Sequence, residues 1–255
     1  PKVKHVLQMI DIVEALDGLM LGADRDLVSV WQKTNARRFD RVMTQTKVVA
    51  ADAKADGIHV RFEGKNGPEE ALAYDLVLVA VGRRPNGKLI DADKAGVTVS
   101  ERGFISVDKQ MRTSDPHIWA VGDVVETPDL VLGQVTVLPL AGPANRQGRI
   151  AAESIAGRDT QFRGIQATAV VGILGVTVAS TGASEKGLLR AGVTNFERIY
   201  LHPGHHAGYY PGARPIHLKL LFSVPDGRIL GAQAVGTDGV EKRIDVIATM
   251  IQFKG

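Results

Sequence analysis

The sequence predicts an α/β fold followed by a separate α+β unit, and three observations carry that reading. Leu76 to Val81 and Ile118 to Val121 are short, continuously apolar runs closed by Gly82 and Gly122, the signature of strands buried on both faces. Residues 138–157 have prolines near their start and a glycine at their end, the asymmetry of a helix. Beyond about residue 159 the pattern changes to hairpins and a final amphipathic helix.

Taken in order, an apolar strand is expected around Met9 to Glu14, then a helix from Asp24 to Asn35. Lys47 to Ala51 and Ile58 to Phe62 follow as a hairpin that turns near Asp56 and Gly57. Tyr74 opens the next strand, Leu76 to Val81, which is apolar on both faces and so belongs inside a layered sheet. It ends in Gly82, Arg83, Arg84, Pro85 and Asn86.

The run from Thr113 to Asp123 is the most informative. Ile118 to Val121 is too short for an amphipathic helix and reads as a buried strand. Gly122 lets a ligand approach the backbone, and Asp123 presents acceptor oxygens at the strand's carboxyl end, the edge where open α/β sheets bind ligands. The helix through Ile150 to Ala156 stops at Gly157, and its face Ala144, Gly148, Ala151, Ala152 and Ile155 is small enough for close packing. Free amide groups at its start favour negative charge.

Residues 164–184 are uncharged and nominally long enough to cross a bilayer, but their polar residues, glycines and alternating valines fit two short strands. His217 to Val224 and Arg228 to Val235 form a hairpin around Pro225, Asp226 and Gly227. Val240, Ile244, Ile247 and Ile251 then mark one face of a helix.

With 255 residues, 44% of them hydrophobic, the chain can bury a substantial core. Its net charge of +3 comes from interspersed acids and bases, with Arg37 and Arg38 on a solvated face, so nucleic acid is not an expected partner, nor is a membrane. There is no cysteine, so the chain can build no disulfide, thiolate metal site or redox thiol. Pro1 begins no signal-peptide pattern, which makes the cytoplasm the expected location.

These motifs resemble the FAD-dependent pyridine nucleotide-disulfide oxidoreductases. The Thr113 to Asp123 run resembles that family's second flavin motif, whose aspartate accepts a hydrogen bond from a ribityl hydroxyl; Gly122 and Asp123 are thereby implied as cofactor residues. Gly82 to Asn86 resembles the Gly-Arg-x-Pro-Asn crossing from the nicotinamide domain back to the flavin domain, which adds Gly82. Leu138 to Arg149 resembles the coenzyme A-disulfide reductases and their NADH oxidase relatives, implying backbone contacts from Leu140 and Ala141 to the flavin. Residues 17 to about 123 look most like the dihydrolipoamide dehydrogenase branch, so the chain has the look of a mosaic.

The resemblance implies partial doubly wound, three-layer, Rossmann-like nucleotide-binding domains, NAD-binding over 1–82 and FAD-binding over 83–158, with a dimerisation domain over 159–255. Glu14, at a strand end, would accept hydrogen bonds from the adenosine ribose and favour NADH over NADPH within an NAD(P)H-dependent family. Residues 1–13 carry no Gly-x-Gly-x-x-Gly, so nicotinamide binding should be weak.

Near the other end, His202 to Gly212 holds three histidines in a loop of Pro and Gly with no carboxylate, so no metal site is expected. Its His-Ala-Gly-Tyr-Tyr-Pro-Gly wording resembles the segment in which a tyrosine of the partner subunit lies near the substrate disulfide. Tyr209 and Tyr210 are both candidates for that catalytic role, donating a proton or hydrogen bond to a departing thiolate.

The family passes a hydride from NADH to FAD and then electrons to a cysteine-based disulfide that exchanges with a small-molecule disulfide. Full-length members begin with an FAD-binding βαβ unit bearing the redox cysteine, so this chain reads as incomplete at both ends, a homodimeric oxidoreductase fragment inactive alone. A noncatalytic dimerisation or interaction module and an NADH oxidase are the alternatives.

Overall fold

The computed structural model describes residues 9–254. The expectation of no signal peptide rests on residues 1–8 and lies outside the described residues. The chain divides into two compact units, one of residues up to Val81 with Leu174–Val176, the other of Gly82–Ile173 with Thr177 onward.

The first unit opens with β1 (Asp11–Val13), α1 (Arg25–Asn35) and β2 (Arg41–Met43). The two strands pair in parallel, Asp11 opposite Arg41 and Val13 opposite Met43, with the helix as their crossover. Asp24 precedes the helix in extended conformation and Asp26 lies in its first turn. Leu27, Val28, Trp31 and Asn35 are its buried side chains with helical spacing, and Trp31 meets Phe39 at 5.9 Å between ring centroids.

An antiparallel meander follows: β3 (Thr46–Lys54), β4 (Gly57–Gly64) and β5 (Leu72–Tyr74). The expected hairpin forms, with strands longer than the apolar runs alone mark, and Gly57 takes φ +138° at its tip. Tyr74 at the end of β5 donates its hydroxyl to Asp11 Oδ2 at 2.7 Å.

The expected strand Leu76–Val81 does not form. Residues 75–81 carry no regular structure, and Leu76, Leu78, Val79 and Val81 are 74%, 88%, 72% and 93% exposed. A both-face apolar strand needs a neighbour on each side and a covering layer on each face, and no strand pairs with this segment among the described residues.

In the second unit, residues 82–140 are held by turns, isolated bridges and the two-residue strands β6 (Thr127–Pro128) and β7 (Val135–Thr136). The expected buried strand Ile118–Val121 is an extended segment, tied to its neighbour by the Arg112–Trp119 bridge and by Ala120 N donating to Met111 O at 3.1 Å. It is only partly buried, because one bridge does not make a ladder. Its side chains still alternate: Ile118 and Ala120 pack on Ala92, Val97 and Ile105, while Trp119 packs on Met111, Ile150 and Phe162.

Helix α2 (Ala141–Ile155) stops at Gly157, which adopts φ +78°. Its buried face differs from the expected one: Gln147, Ile150 and Ala151 are buried, whereas Ala152 and Ile155 face solvent. The large Ile150 side chain joins the small Ala151 in packing with Met111, Phe162 and Ile165.

The remaining elements are β8 (Ala169–Ile173), β9 (Val176–Gly182), α3 (Glu185–Arg190), β10 (Phe196–Leu201), β11 (His217–Ser223), β12 (Ile229–Gly236) and α4 (Val240–Gln252). The strands order as β10-β11-β12-β9-β8, and β12 is buried along its whole length. Alternation places Leu218, Ala232, Ala234 and Ala179 on the face covered by Val240 and Ile244 of α4. On the opposite face Leu221 and Leu230 meet Leu188 of α3, whose first turn is capped by Ser184 accepting from Gly187 N at 3.1 Å. Among the described residues no helix is long and apolar enough to cross a membrane.

Candidate functional site

Gly122 to Val124 form a single 3₁₀ turn at the end of the extended segment, so Asp123 sits in a turn rather than on a strand. Gly122 takes φ +81°, a conformation that suits glycine, and Val125 N donates back to its carbonyl at 3.2 Å. The Asp123 side chain is about half exposed and accepts from Arg83 Nη1 at 3.3 Å. Arg83 follows Gly82, which has φ +100° and open space where a Cβ would project. The Gly82–Asn86 crossing and the Gly-Asp turn thus meet through one ion pair.

Helix α2 reaches the same turn from the other side. Gln147 is 2% exposed, and its Oε1 accepts the Gly122 N–H at 2.7 Å. Ala144, one turn earlier, lies 3.8 Å from where a Gly122 Cβ would stand. The helix begins at Leu140, which is extended at φ −126°, and Ala141, with no acidic residue in the first turn. The N–H groups of a first turn have no partner within the helix and carry partial positive charge. An accessible carboxylate, two positive-φ glycines and a helix start therefore share one unit.

Glu14 belongs to the first unit, immediately after β1. Its N–H donates to Met43 O at 2.9 Å, and its Oε1 accepts from Leu16 N at 2.9 Å. One carboxylate oxygen is thus committed to the following loop at the carboxyl end of the parallel pair.

Tyr209 and Tyr210 lie in the loop between β10 and β11. Tyr209 is 92% exposed; Tyr210 stacks on His206 with centroids 4.6 Å apart. His205 Nε2 is buried without a hydrogen-bond partner, 4.0 Å from Asp238 Oδ2. His202 meets His217 edge-on, and burial, reinforced by His202, pushes the His217 pKa below the usual histidine value. Among the described residues no group of three His, Cys, Asp or Glu side chains could hold a metal ion, and no hydrogen bond joins this loop to Asp123 or Leu140.

Sequence reasoning passed over Arg83 and Gln147 as site residues. Arg83 follows the glycine that closes the crossing, and Gln147 is the polar residue one turn after Ala144 on a packed helix face; either position could have drawn attention.

The described residues form partial Rossmann-like and α+β parts, and comparison with known proteins identifies the family that combines them. Residues 4–148 match the family described as pyridine nucleotide-disulphide oxidoreductase, and residues 168–255 match its dimerisation domain. The chain belongs to the pyridine nucleotide-disulphide oxidoreductase family.

It is 42% identical over 237 residues to the dihydrolipoyl dehydrogenase of Vibrio cholerae, covering 91% of this chain and 46% of that protein. It is 35% identical over 176 residues to a coenzyme A disulfide reductase of Staphylococcus aureus, covering 69% and 39%. Among solved structures, the NAD-dependent persulfide reductase of A. fulgidus superposes with a TM-score of 0.86 at 35% identity, over 96% of this chain and 44% of that one. An FAD-dependent pyridine nucleotide-disulphide oxidoreductase of Desulfovibrio vulgaris gives 0.77 at 32% identity, over 96% and 58%. The chain spans about half the length of the curated relatives it matches. The Desulfovibrio vulgaris protein is described as FAD-dependent and the A. fulgidus protein as NAD-dependent.

Proposed function

We propose that this chain is the flavin-contacting and subunit-pairing portion of a flavin-dependent NAD(P)H:disulfide oxidoreductase acting in the cytoplasm on a small-molecule disulfide. The observation that carries the reading is the convergence of Arg83 and Gln147 on the Gly122–Asp123 turn, which ties the crossing, the turn and helix α2 together. In this reading the Asp123 carboxylate accepts from a ribityl hydroxyl, the backbone of Leu140 and Ala141 at the start of helix α2 contacts the pyrimidine edge of the flavin, and Gly82 leaves room beside it. When bound, FAD supplies the two-electron relay between nicotinamide and disulfide.

Residues 1–82 serve as the nicotinamide-binding part, with Glu14 accepting from the adenosine ribose. Residues 83–158 serve as the flavin part, and 159–255 pair two copies as a homodimer that presents Tyr209 or Tyr210 to the partner's substrate. The 255 residues contain no cysteine, so the thiol-exchange step has no nucleophile within them. Disulfide reduction by this chain alone should be near background.

The test is to purify the chain with excess FAD, remove free ligand and compare visible flavin absorbance with protein concentration. Near-stoichiometric flavin that is lost in Asp123→Ala supports the reading. A folded, colourless protein supports a noncatalytic interaction module instead, a reading favoured by the exposed Leu76, Leu78, Val79 and Val81. Oxygen consumption with NADH would point to the NADH oxidase branch.

A further inference from the structure

We infer that Gln147 is a positioning residue: its buried amide oxygen holds the Gly122–Asp123 turn at a fixed distance from the start of helix α2, so that one ligand can meet both. The inference rests on the flavin reading above.

Gln147 is 2% exposed, between Ala144 on the preceding turn and Ile150 and Ala151 on the next, where an apolar side chain would pack without desolvating an amide. What that amide gains is the Gly122 N–H at 2.7 Å. The far end of the turn is anchored by the Ile105 N–H, which donates to Val124 O at 2.8 Å, whereas Gly122 and Asp123 are otherwise weakly restrained. Gly122 is a glycine at φ +81°, the 3₁₀ turn closes on one backbone bond at 3.2 Å, and Arg83 grips Asp123 from a side chain 84% exposed, where ion pairs contribute little.

Ala141 and Gln147 lie on one helix that rises about 9 Å between them, so the bond to Gly122 fixes the turn relative to the N–H groups of the first turn. A ligand touching both ends binds well only when that spacing is set beforehand. Gln147 need not touch the ligand.

The test uses the whole 255-residue chain with Gln147→Met, which keeps length and packing but has no oxygen acceptor, alone and combined with Asp123→Asn; Gln147→Leu replaces it if Met disturbs folding. In the ligand-free protein, the Gly122 amide should exchange with solvent at least about tenfold faster in Gln147→Met. Unchanged exchange overturns the inference whatever the flavin does. With FAD as the probe, Gln147→Met should raise Kd about tenfold in the parent but less than about threefold in Asp123→Asn, because the two residues act as a unit. Equal losses in both backgrounds overturn it. If the parent chain binds no FAD while the Gly122 amide still responds, the flavin reading fails and takes the positioning role with it, leaving only a structural hydrogen bond.

Discussion

The Arg83 guanidinium donates to the Asp123 carboxylate across 3.3 Å, joining residues 40 positions apart in the chain. Both side chains are largely open to solvent, so the pair is worth under about 1 kcal/mol to the fold. Arg83→Gln and Asp123→Ala should therefore leave the denaturant midpoint nearly unmoved, while Asp123→Ala reduces flavin retention at least about tenfold. A large loss of stability in Asp123→Ala would assign the carboxylate a structural role instead.

Tyr74 and Asp11 make a different kind of contact, because the Asp11 side chain is only 7% exposed and its Oδ1 has no hydrogen-bond partner. Tyr74→Phe removes the 2.7 Å donor from Oδ2 and should destabilise the first unit by about 1–3 kcal/mol, read by chemical denaturation.

The same contact predicts an alkaline effect. Desolvation first, then the bond to Asp11, pushes the Tyr74 pKa well above its ordinary value. A raised folded-state pKa gives stability that is complete below about pH 10 and lost as pH climbs above it, since the unfolded phenol ionises first. In a spectrophotometric titration one phenol, absent in Tyr74→Phe, should ionise well above pH 10, and Tyr74→Phe should flatten the alkaline fall in stability.

His217 predicts the opposite slope. Its pKa is lowered by burial and by His202, so the folded state resists protonation. Stability is complete above about pH 6.5 and declines as pH falls below it, where the unfolded chain takes up the proton first. His217→Asn should reduce that acid slope in unfolding curves collected between about pH 7 and pH 5.

Gly231 in β12 allows a close backbone approach, since a Cβ there would lie 2.0 Å from the carbonyl oxygen of Ala183. Backbone cannot rotate aside as a side chain can. Gly231→Ala should cost about 1–3 kcal/mol of stability, seen as a lower melting temperature.

Local pattern was sufficient wherever an element's own residues supply its partners. Helix α1 forms over Arg25–Asn35 as its spacing predicts, the Asp56–Gly57 hairpin closes on adjacent strands, and His217–Ser223 pairs with Ile229–Gly236 across a short turn. Composition likewise settles that no thiol chemistry can arise within these 255 residues. Gly122 and Asp123 stand out only in company with the Gly82–Asn86 run, because a glycine and a carboxylate after an apolar run serve equally as a strand end and turn cap.

Tertiary structure decided what depends on distant neighbours. Leu76–Val81 has the composition of a buried strand yet stays exposed, because a strand exists only when other backbone is beside it, and sequence pattern says nothing of that backbone. The inward face of α2 is chosen by where Met111 and Phe162 stand, which takes in Ile150 with Ala151 and leaves Ala152 and Ile155 outside. Sequence position could draw attention to Arg83 and Gln147 but not name their partners, for the same reason: a polar side chain declares its partner only when folding brings residues 40 and 25 positions away within hydrogen-bond reach.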